Sequence, residues 1–361
     1  MPGNLINYTR DYKQPHNVLD AMKYISCESP HQLALKTTER PKLEDGNVLL
    51  LVKYVGICGT DLHAYQGNQP FFSYPRILGH ELATEILDTA FPHADLAPGS
   101  RVVLIPYVNC QKCVSCRAGK TNCCQNLKVL GVHTDGGMQE IISVPGRLLI
   151  PANDLSLEEI AIVEPLSIGA HALRRCQIKN NETIIVMGCG PIGIGIIQLA
   201  KYIGAKVIAM DTNDYRLRLA KDKFGADIVV NALQSPLDRI LEATEGQLSD
   251  AIFDATGNKK AMEGGIDFMM HGGRYVLVGL TNGPLTFHHP AIHAKETTLL
   301  CSRNATKEDF EFVIRVLREK KFNTESYITK KVPSHSILTD FDSWSHPDSK
   351  DIKVLTRWEA S

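Results

Sequence analysis

Five of the chain's ten cysteines fall within the eighteen residues "NCQKCVSCRAGKTNCCQN", positions 109–126. Cys110, Cys113, Cys116 and Cys124 follow C-x2-C-x2-C-x7-C, and loops this short let four thiolates reach the corners of one tetrahedron around Zn2+. An iron–sulfur run of similar form needs its fourth cysteine after three residues with proline next, whereas here the gap is seven and Gln125 follows. Gln111, Lys112, Ser115, Arg117 and Lys120 make the segment a polar loop rather than a thiol-rich piece of core. Cys123 is surplus to a four-coordinate site and reads as a bystander, the alternative register being Cys123 in place of Cys124. Four thiolates leave no open position, so this zinc is structural and the chemistry must lie elsewhere.

A second set lies upstream in "VGICGTDLH" (55–63) and "ILGHELATEI" (77–86). Cys58, His80 and Glu81 are the soft and borderline ligands of a catalytic zinc that keeps a fourth position open. Taken singly, Cys58 reads as a small core residue beside a turn glycine, and His80 and Glu81 as a surface pair. A third pattern occupies 181–214, "NETIIVMGCGPIGIGIIQLAKYIGAKVIAMDTND". It predicts a buried strand over Thr183–Met187, a glycine turn, a helix carrying Ile192, Ile196, Leu199 and Ile203 on one face, and a second strand over Ala205–Met210. Gly188, Gly190 and Gly193 spell G-x-G-x-x-G, with Pro191 and Ile192 inside it, and Asp211 closes the second strand. A carboxylate there accepts hydrogen bonds from a ribose 2′-hydroxyl and repels a 2′-phosphate, which favours NAD over NADP. The glycines, Pro191 and Asp211 exclude a membrane helix.

These sites must be carried by an ordinary globular chain. Its 361 residues are 43% hydrophobic and 22% charged, with a net charge of -1 and a pI of about 6.9. Length points to two domains, and neutrality offers no basic field for nucleic acid or an anionic membrane, leaving a small molecule as the expected partner. The first twenty residues are polar and lack the apolar core of a secretory signal, so a cytoplasmic location is expected. Thiols are reduced there, which favours metal over disulfides for the cysteine cluster. His133, His171, His288, His289 and His293 lack ligand spacing and read as core or surface histidines.

Together these motifs resemble the zinc-dependent medium-chain dehydrogenase family over nearly the whole chain. The match runs through "GICGTDLH", "GHE", the four-cysteine loop, "EPLSIGAHA" (164–172), "GCGPIG" and "VLVGL" (276–280). The resemblance implies an α/β fold: a GroES-like β-rich catalytic domain over 22–164 and 302–361, and a Rossmann doubly wound parallel sheet over 165–301, with an added arm at 1–21. The active site would lie in the cleft between them, and a homo-oligomer, dimer or tetramer, is expected. Glu164 stands where ethanol-type members carry a cysteine ligand, which places the chain in the polyol, threonine and sugar-acid branch. "YPRILGHE" and "GVHTDGGMQE" look most like bacterial hexonate 5-dehydrogenases acting on L-galactonate or L-gulonate.

The implied reaction is oxidation of a secondary alcohol, zinc acting as Lewis acid toward the hydroxyl and NAD+ accepting the hydride. By resemblance, Thr60 and His63 pass the released proton outward; a turn-capping hydroxyl and a surface imidazole are their simpler readings. Glu164 is either an exchangeable fourth ligand or a hydrogen-bond partner of the zinc water. Arg216 matches a position near the adenosine ribose, or is an exposed helix arginine. Val278, Gly279 and Leu280 resemble a nicotinamide-side loop, and Ser302, Arg303 and Asn304 a substrate-side one, with Arg303 able to bind a polyol or carboxylate. Sorbitol or L-threonine dehydrogenase are the alternatives within the branch. A non-catalytic zinc-bearing regulatory or nucleic-acid-binding protein is the alternative outside it, opposed by the neutral charge and the intact Cys58, His80 and Glu81 set.

Overall fold

The computed structural model describes residues 21–69, 72–344, 346 and 349–359. The arm expected at 1–21 lies outside these residues except for Ala21, which opens the strand Ala21–Ser29.

The apolar run Thr183–Met187 forms the centre of a six-stranded parallel sheet, and its Ile184, Ile185 and Val186 are fully buried because helices cover both faces. Across the sheet the strands run Ile228–Asn231, Lys206–Asp211, Thr183–Met187, Ser249–Asp254, Met269–Leu277 and Thr298–Cys301. The order reverses direction beside Thr183–Met187, and that switch point opens the crevice in which doubly wound sheets bind ligands. The second strand spans Lys206–Asp211, one residue later than the pattern suggested. Gly204 ends the preceding helix in the left-handed conformation, and the Ala205 amide bonds back to the Ala200 carbonyl, so Ala205 is spent on the helix end.

The remaining strands form a largely antiparallel seven-stranded sheet and smaller flanking sheets. Its key register sets Gly56, the last residue of Asn47–Gly56, opposite Glu81, the first of Glu81–Thr89. On its other side Gly56 faces Leu355 of Lys353–Arg357, so the end of the chain returns to the first sheet. This register brings Cys58, two residues past Gly56, against His80 and Glu81.

One helix, Val163–Cys176, joins the two layers, and the division expected at 164/165 falls inside it. An apolar cluster runs from Ala83 and Val103 of the antiparallel sheet through Leu166, Ala170 and Leu173 of this helix to Ile184 and Val186 of the parallel sheet. Among the described residues no helix is long and apolar enough to cross a membrane.

Candidate active site

The ligand atoms of Cys58, His80 and Glu81 all lie within 4.8 Å of one another, with His80 and Glu81 buried and Cys58 half-buried. Cys58 caps the helix Gly59–Tyr65, which carries Thr60 half-buried and, one turn on, His63 in solvent. Glu164 is 5% exposed, in the first turn of Val163–Cys176. Burial first, and the neighbouring Glu81 charge, push its carboxyl up to about 7 against the pull of His80.

The sulfurs of Cys110, Cys113, Cys116 and Cys124 likewise lie within 4.8 Å of one another, fitting the separation of about 3.8 Å that tetrahedral Zn–S bonds of about 2.3 Å impose. Backbone amides point at the sulfurs: Cys110 and Asn126 donate to Cys124 Sγ at 3.3 and 3.4 Å, and Cys113 to Cys110 Sγ at 3.4 Å. Such donors favour thiolate, and the amides of Lys112 and Cys113 draw the Cys110 thiol down to about 6. Cys123 is exposed and outside the cluster. Both donor sets suit zinc: one is all thiolate and closed, the other mixed and three-membered.

At the end of Thr183–Met187 the three glycines do three different things. Gly188 turns the chain with φ +91°; a side chain at Gly193 would collide with the Gly188 carbonyl; one at Gly190 would meet nothing within 4 Å. The turn is thus left open at Gly190, at the N-terminus of Pro191–Ile203, where Ile192 is half-buried and the helix dipole favours an anion. Asp211 Oδ2 accepts the Cys189 amide at 2.7 Å and Oδ1 the Asn213 amide at 2.8 Å, which sets the carboxylate beside the turn. Val278 and Gly279 donate to the Asp254 carbonyl, each at 2.9 Å, and leave Leu280 68% exposed at the same sheet edge. Ser302, Arg303 and Asn304 follow Thr298–Cys301, the edge strand of the parallel sheet. Arg216 Nε, Ser302 Oγ and Asn304 Nδ2 are buried without hydrogen-bond partners among the described residues, as expected of groups that await a polar ligand.

Two family models match the chain: the alcohol dehydrogenase GroES-like domain over 44–154 and the zinc-binding dehydrogenase domain over 191–319. The chain is 40% identical over 324 residues to the L-galactonate-5-dehydrogenase of Escherichia coli K12, covering 90% of this chain and 95% of that one. It belongs to the zinc-binding alcohol dehydrogenases. It is also 32% identical over 327 residues to a sorbitol dehydrogenase of Halalkalibacterium halodurans, covering 88% and 94% of the two chains. Among solved structures it resembles the rspB alcohol dehydrogenase of E. coli CFT073, determined with NADH, at a TM-score of 0.88 and 32% identity over 94% of this chain and 100% of that one.

Three partners of this dehydrogenase's candidate ligands Cys58, His80 and Glu81 and of nearby Glu164 were not read from the sequence. Asp61, wholly buried, accepts the amides of Cys58 at 3.0 Å and Gly79 at 3.2 Å and faces His80 Nδ1 at 3.8 Å, tying the two ligand loops together. Its only sequence signal was the capping spacing Cys58-x-x-Asp61. Lys353 closes on both Glu81 oxygens at 2.7 and 2.6 Å and donates to the Ile57 carbonyl at 3.0 Å, leaving lone pairs on Glu81 for a metal. Tyr107 donates its hydroxyl to Glu164 in the buried interior, fixing that carboxylate's direction. Of the five histidines, His171 is buried, His133 accepts the Val129 amide at 3.1 Å, and His288, His289 and His293 are exposed.

Proposed function

We propose that this dehydrogenase oxidises a secondary hydroxyl of a sugar acid of the L-galactonate or L-gulonate type, with NAD+ as acceptor. The observation that carries the sugar-acid reading is the charge around Arg303. Arg303 is exposed beyond the ligand-binding edge of the parallel sheet and has no ion-pair partner among the described residues. After burial, its charge and that of Arg76 hold the His133 imidazole below its usual pKa, so the basic groups share one region. Asp135 answers Arg76 at 3.1 Å, and among the described residues no carboxylate answers Arg303. A substrate carboxylate supplies that counter-ion; a plain polyol leaves it unmatched. The 40% identity to an L-galactonate dehydrogenase supports the same assignment.

Cys58, His80 and Glu81 would hold the catalytic zinc, and Cys110, Cys113, Cys116 and Cys124 the structural one. When bound, zinc supplies Lewis acidity toward the substrate hydroxyl and the nicotinamide supplies the hydride acceptor. Thr60 and His63, one turn apart and leading from half-buried to exposed, carry the hydroxyl proton to solvent. Asp61 and Lys353 hold His80 and Glu81 in place, and Tyr107 holds Glu164. Gly190 admits the pyrophosphate, Asp211 receives the ribose hydroxyls with Arg216 beside it, and Val278 to Leu280 line the nicotinamide side.

The test is a comparison of kcat/KM for L-galactonate or L-gulonate with that for the matching polyol. The sugar acid is expected to exceed the polyol by roughly ten- to a hundredfold, and Arg303→Ala to erase most of that preference. Faster turnover of sorbitol or threonine would sink the sugar-acid assignment and leave the zinc–NAD dehydrogenase standing.

A further inference from the structure

Asn122 lies in the turn Thr121–Cys123, between two cysteines of the four-thiolate loop, and is 5% exposed. Its Nδ2 stands 2.9 Å from the Arg303 carbonyl oxygen and 3.1 Å from His171 Nε2. A carbonyl only accepts, so the amide must present its NH2 to Arg303. Its second N–H then meets His171 Nε2, which must be bare. With Nε2 accepting, a ring proton sits on Nδ1, 2.8 Å from Asp309 Oδ2, and Arg174 Nη2, 3.3 Å from Nδ1, donates instead to Asp309 Oδ2 at 3.0 Å and the Thr306 hydroxyl at 2.9 Å. Asp309, 1% exposed, is held in turn by Arg174 Nε at 2.7 Å, the Thr306 amide at 2.8 Å and the Thr306 hydroxyl at 2.9 Å. Each partner fixes the orientation of the next.

None of these side chains takes part in the chemistry above. Asn122 is not a metal ligand, and His171 lies two helical turns beyond Glu164. Yet the series ends on the backbone of Arg303, between Ser302 and Asn304, whose buried polar atoms lack partners. Asn304 is left-handed, with φ 51°, a conformation that its surroundings must maintain. Among the described residues, Asn122 is the side chain that donates to this segment from the zinc loop.

We infer that Asn122 is a positioning residue for Arg303. Through it, the four-cysteine loop holds the 302–304 segment at the substrate-side edge of the cleft, and His171 and Asp309 hold Asn122 in the one orientation that does so. Cys110, Cys113, Cys116 and Cys124, holding a structural zinc, would thereby act on substrate recognition at a distance, by fixing the loop that carries Asn122. This rests on the reading of Arg303 as the group that meets the substrate.

Asn122→Asp keeps the shape but sets an acceptor against the Arg303 carbonyl. In the zinc-loaded protein, hydrogen exchange at the Ser302 and Thr306 amides, bonded to the Leu277 carbonyl at 2.9 Å and to Asp309 at 2.8 Å, is expected to quicken about tenfold, the worth of one buried hydrogen bond. Exchange in the Thr183–Met187 strand is expected to stay unchanged. KM for the sugar acid is expected to rise about tenfold with kcat within about twofold and zinc content intact. Should Asn122→Asp not fold, Asn122→Ser, which removes both contacts without a new charge, carries the same readouts. Unaltered exchange at Ser302 and Thr306 in a folded variant overturns the inference, as does uniform acceleration throughout the chain. Failure of both variants to fold also overturns it, reducing Asn122 to a residue of the fold. Exchange does not involve substrate, so local quickening with no effect of Arg303→Ala on sugar-acid preference supports the positioning and refutes the substrate reading instead.

Discussion

The carboxylate of Asp211 accepts the backbone amide of Cys189 at 2.7 Å, so the end of one strand is bolted to the glycine turn of its neighbour. If Asp211 receives the ribose, as proposed, the residue that would select the cofactor also shapes the turn that would receive the phosphates. A 2′-phosphate brought to this corner meets a fixed negative charge. Activity with NAD+ is expected to exceed that with NADP+ by at least about a hundredfold in kcat/KM, and Asp211→Asn, which retains an acceptor for Cys189, to narrow the gap about tenfold or more. Equal use of both cofactors by the unmodified protein would count against this placement of Asp211.

The glycines separate binding from folding. A methyl at Gly190 touches nothing in the protein, so Gly190→Ala is expected to leave the melting temperature unchanged while NADH affinity, followed by fluorescence, falls at least about tenfold. A methyl at Gly193 strikes the Gly188 carbonyl, so Gly193→Ala is expected to destabilise by about 1–3 kcal/mol or more. If Gly190→Ala binds NADH normally, the pyrophosphate does not cross that turn.

Zinc analysis of protein purified without chelator is expected to approach two ions per chain, and one after Cys110→Ser. A mild chelator is expected to abolish activity before it unfolds the protein, because the open three-ligand set holds metal less tightly than the closed thiolate set. Loss of fold and activity at the same chelator concentration would refute the division of labour between the two sites.

Asp309 gives a pH signature. Burial opposes its charge, but His171, Arg174 and the Thr306 amide outweigh burial and hold the carboxyl below the ordinary range. A depressed folded-state pKa contributes stability that is present above the unfolded value of about 3.9 and lost as pH falls below it. Between pH 5 and pH 3 the unmodified protein is expected to lose about 1 kcal/mol more unfolding free energy than Asp309→Asn, read by urea titration so that losses common to both cancel. Parallel pH slopes would show that Asp309 is not held ionised by its partners.

What the sequence disclosed was whatever proximity along the chain enforces. The four cysteines lie in one loop, and the glycine turn, helix and Asp211 fall in one strand–turn–helix–strand unit, so residue type and spacing suffice. Cys58 and His80–Glu81 are separated by the helix Gly59–Tyr65 and the segment after it, and their pairing follows from the Gly56–Glu81 register and the Asp61 contacts to Cys58 and Gly79. Lys353 meets Glu81 across 272 positions and Tyr107 meets Glu164 across 57, and no local pattern marks either contact. His171 illustrates the other limit. A core position was a fair reading, but its hydrogen-bond partners come from the zinc loop and from the helix Lys307–Arg318, which sequence spacing does not bring together.

The Lys353 ammonium that neutralises Glu81 belongs to the strand Lys353–Arg357, made long after the ligands it serves. At about 5–20 residues per second, roughly 14–54 s of synthesis separate Glu81 from the 272nd residue after it. Through that interval Cys58, His80 and Glu81 exist without their cation, and Gly56 lacks the neighbour that later seals its open side. A carboxylate that is finally fully buried must until then stay hydrated, because an unpaired charge is costly to bury. Glu81 therefore cannot be buried with its cation before Lys353 is made, and a metal held by Cys58, His80 and Glu81 would enter either through water before the final strand arrives or through the finished cleft afterwards.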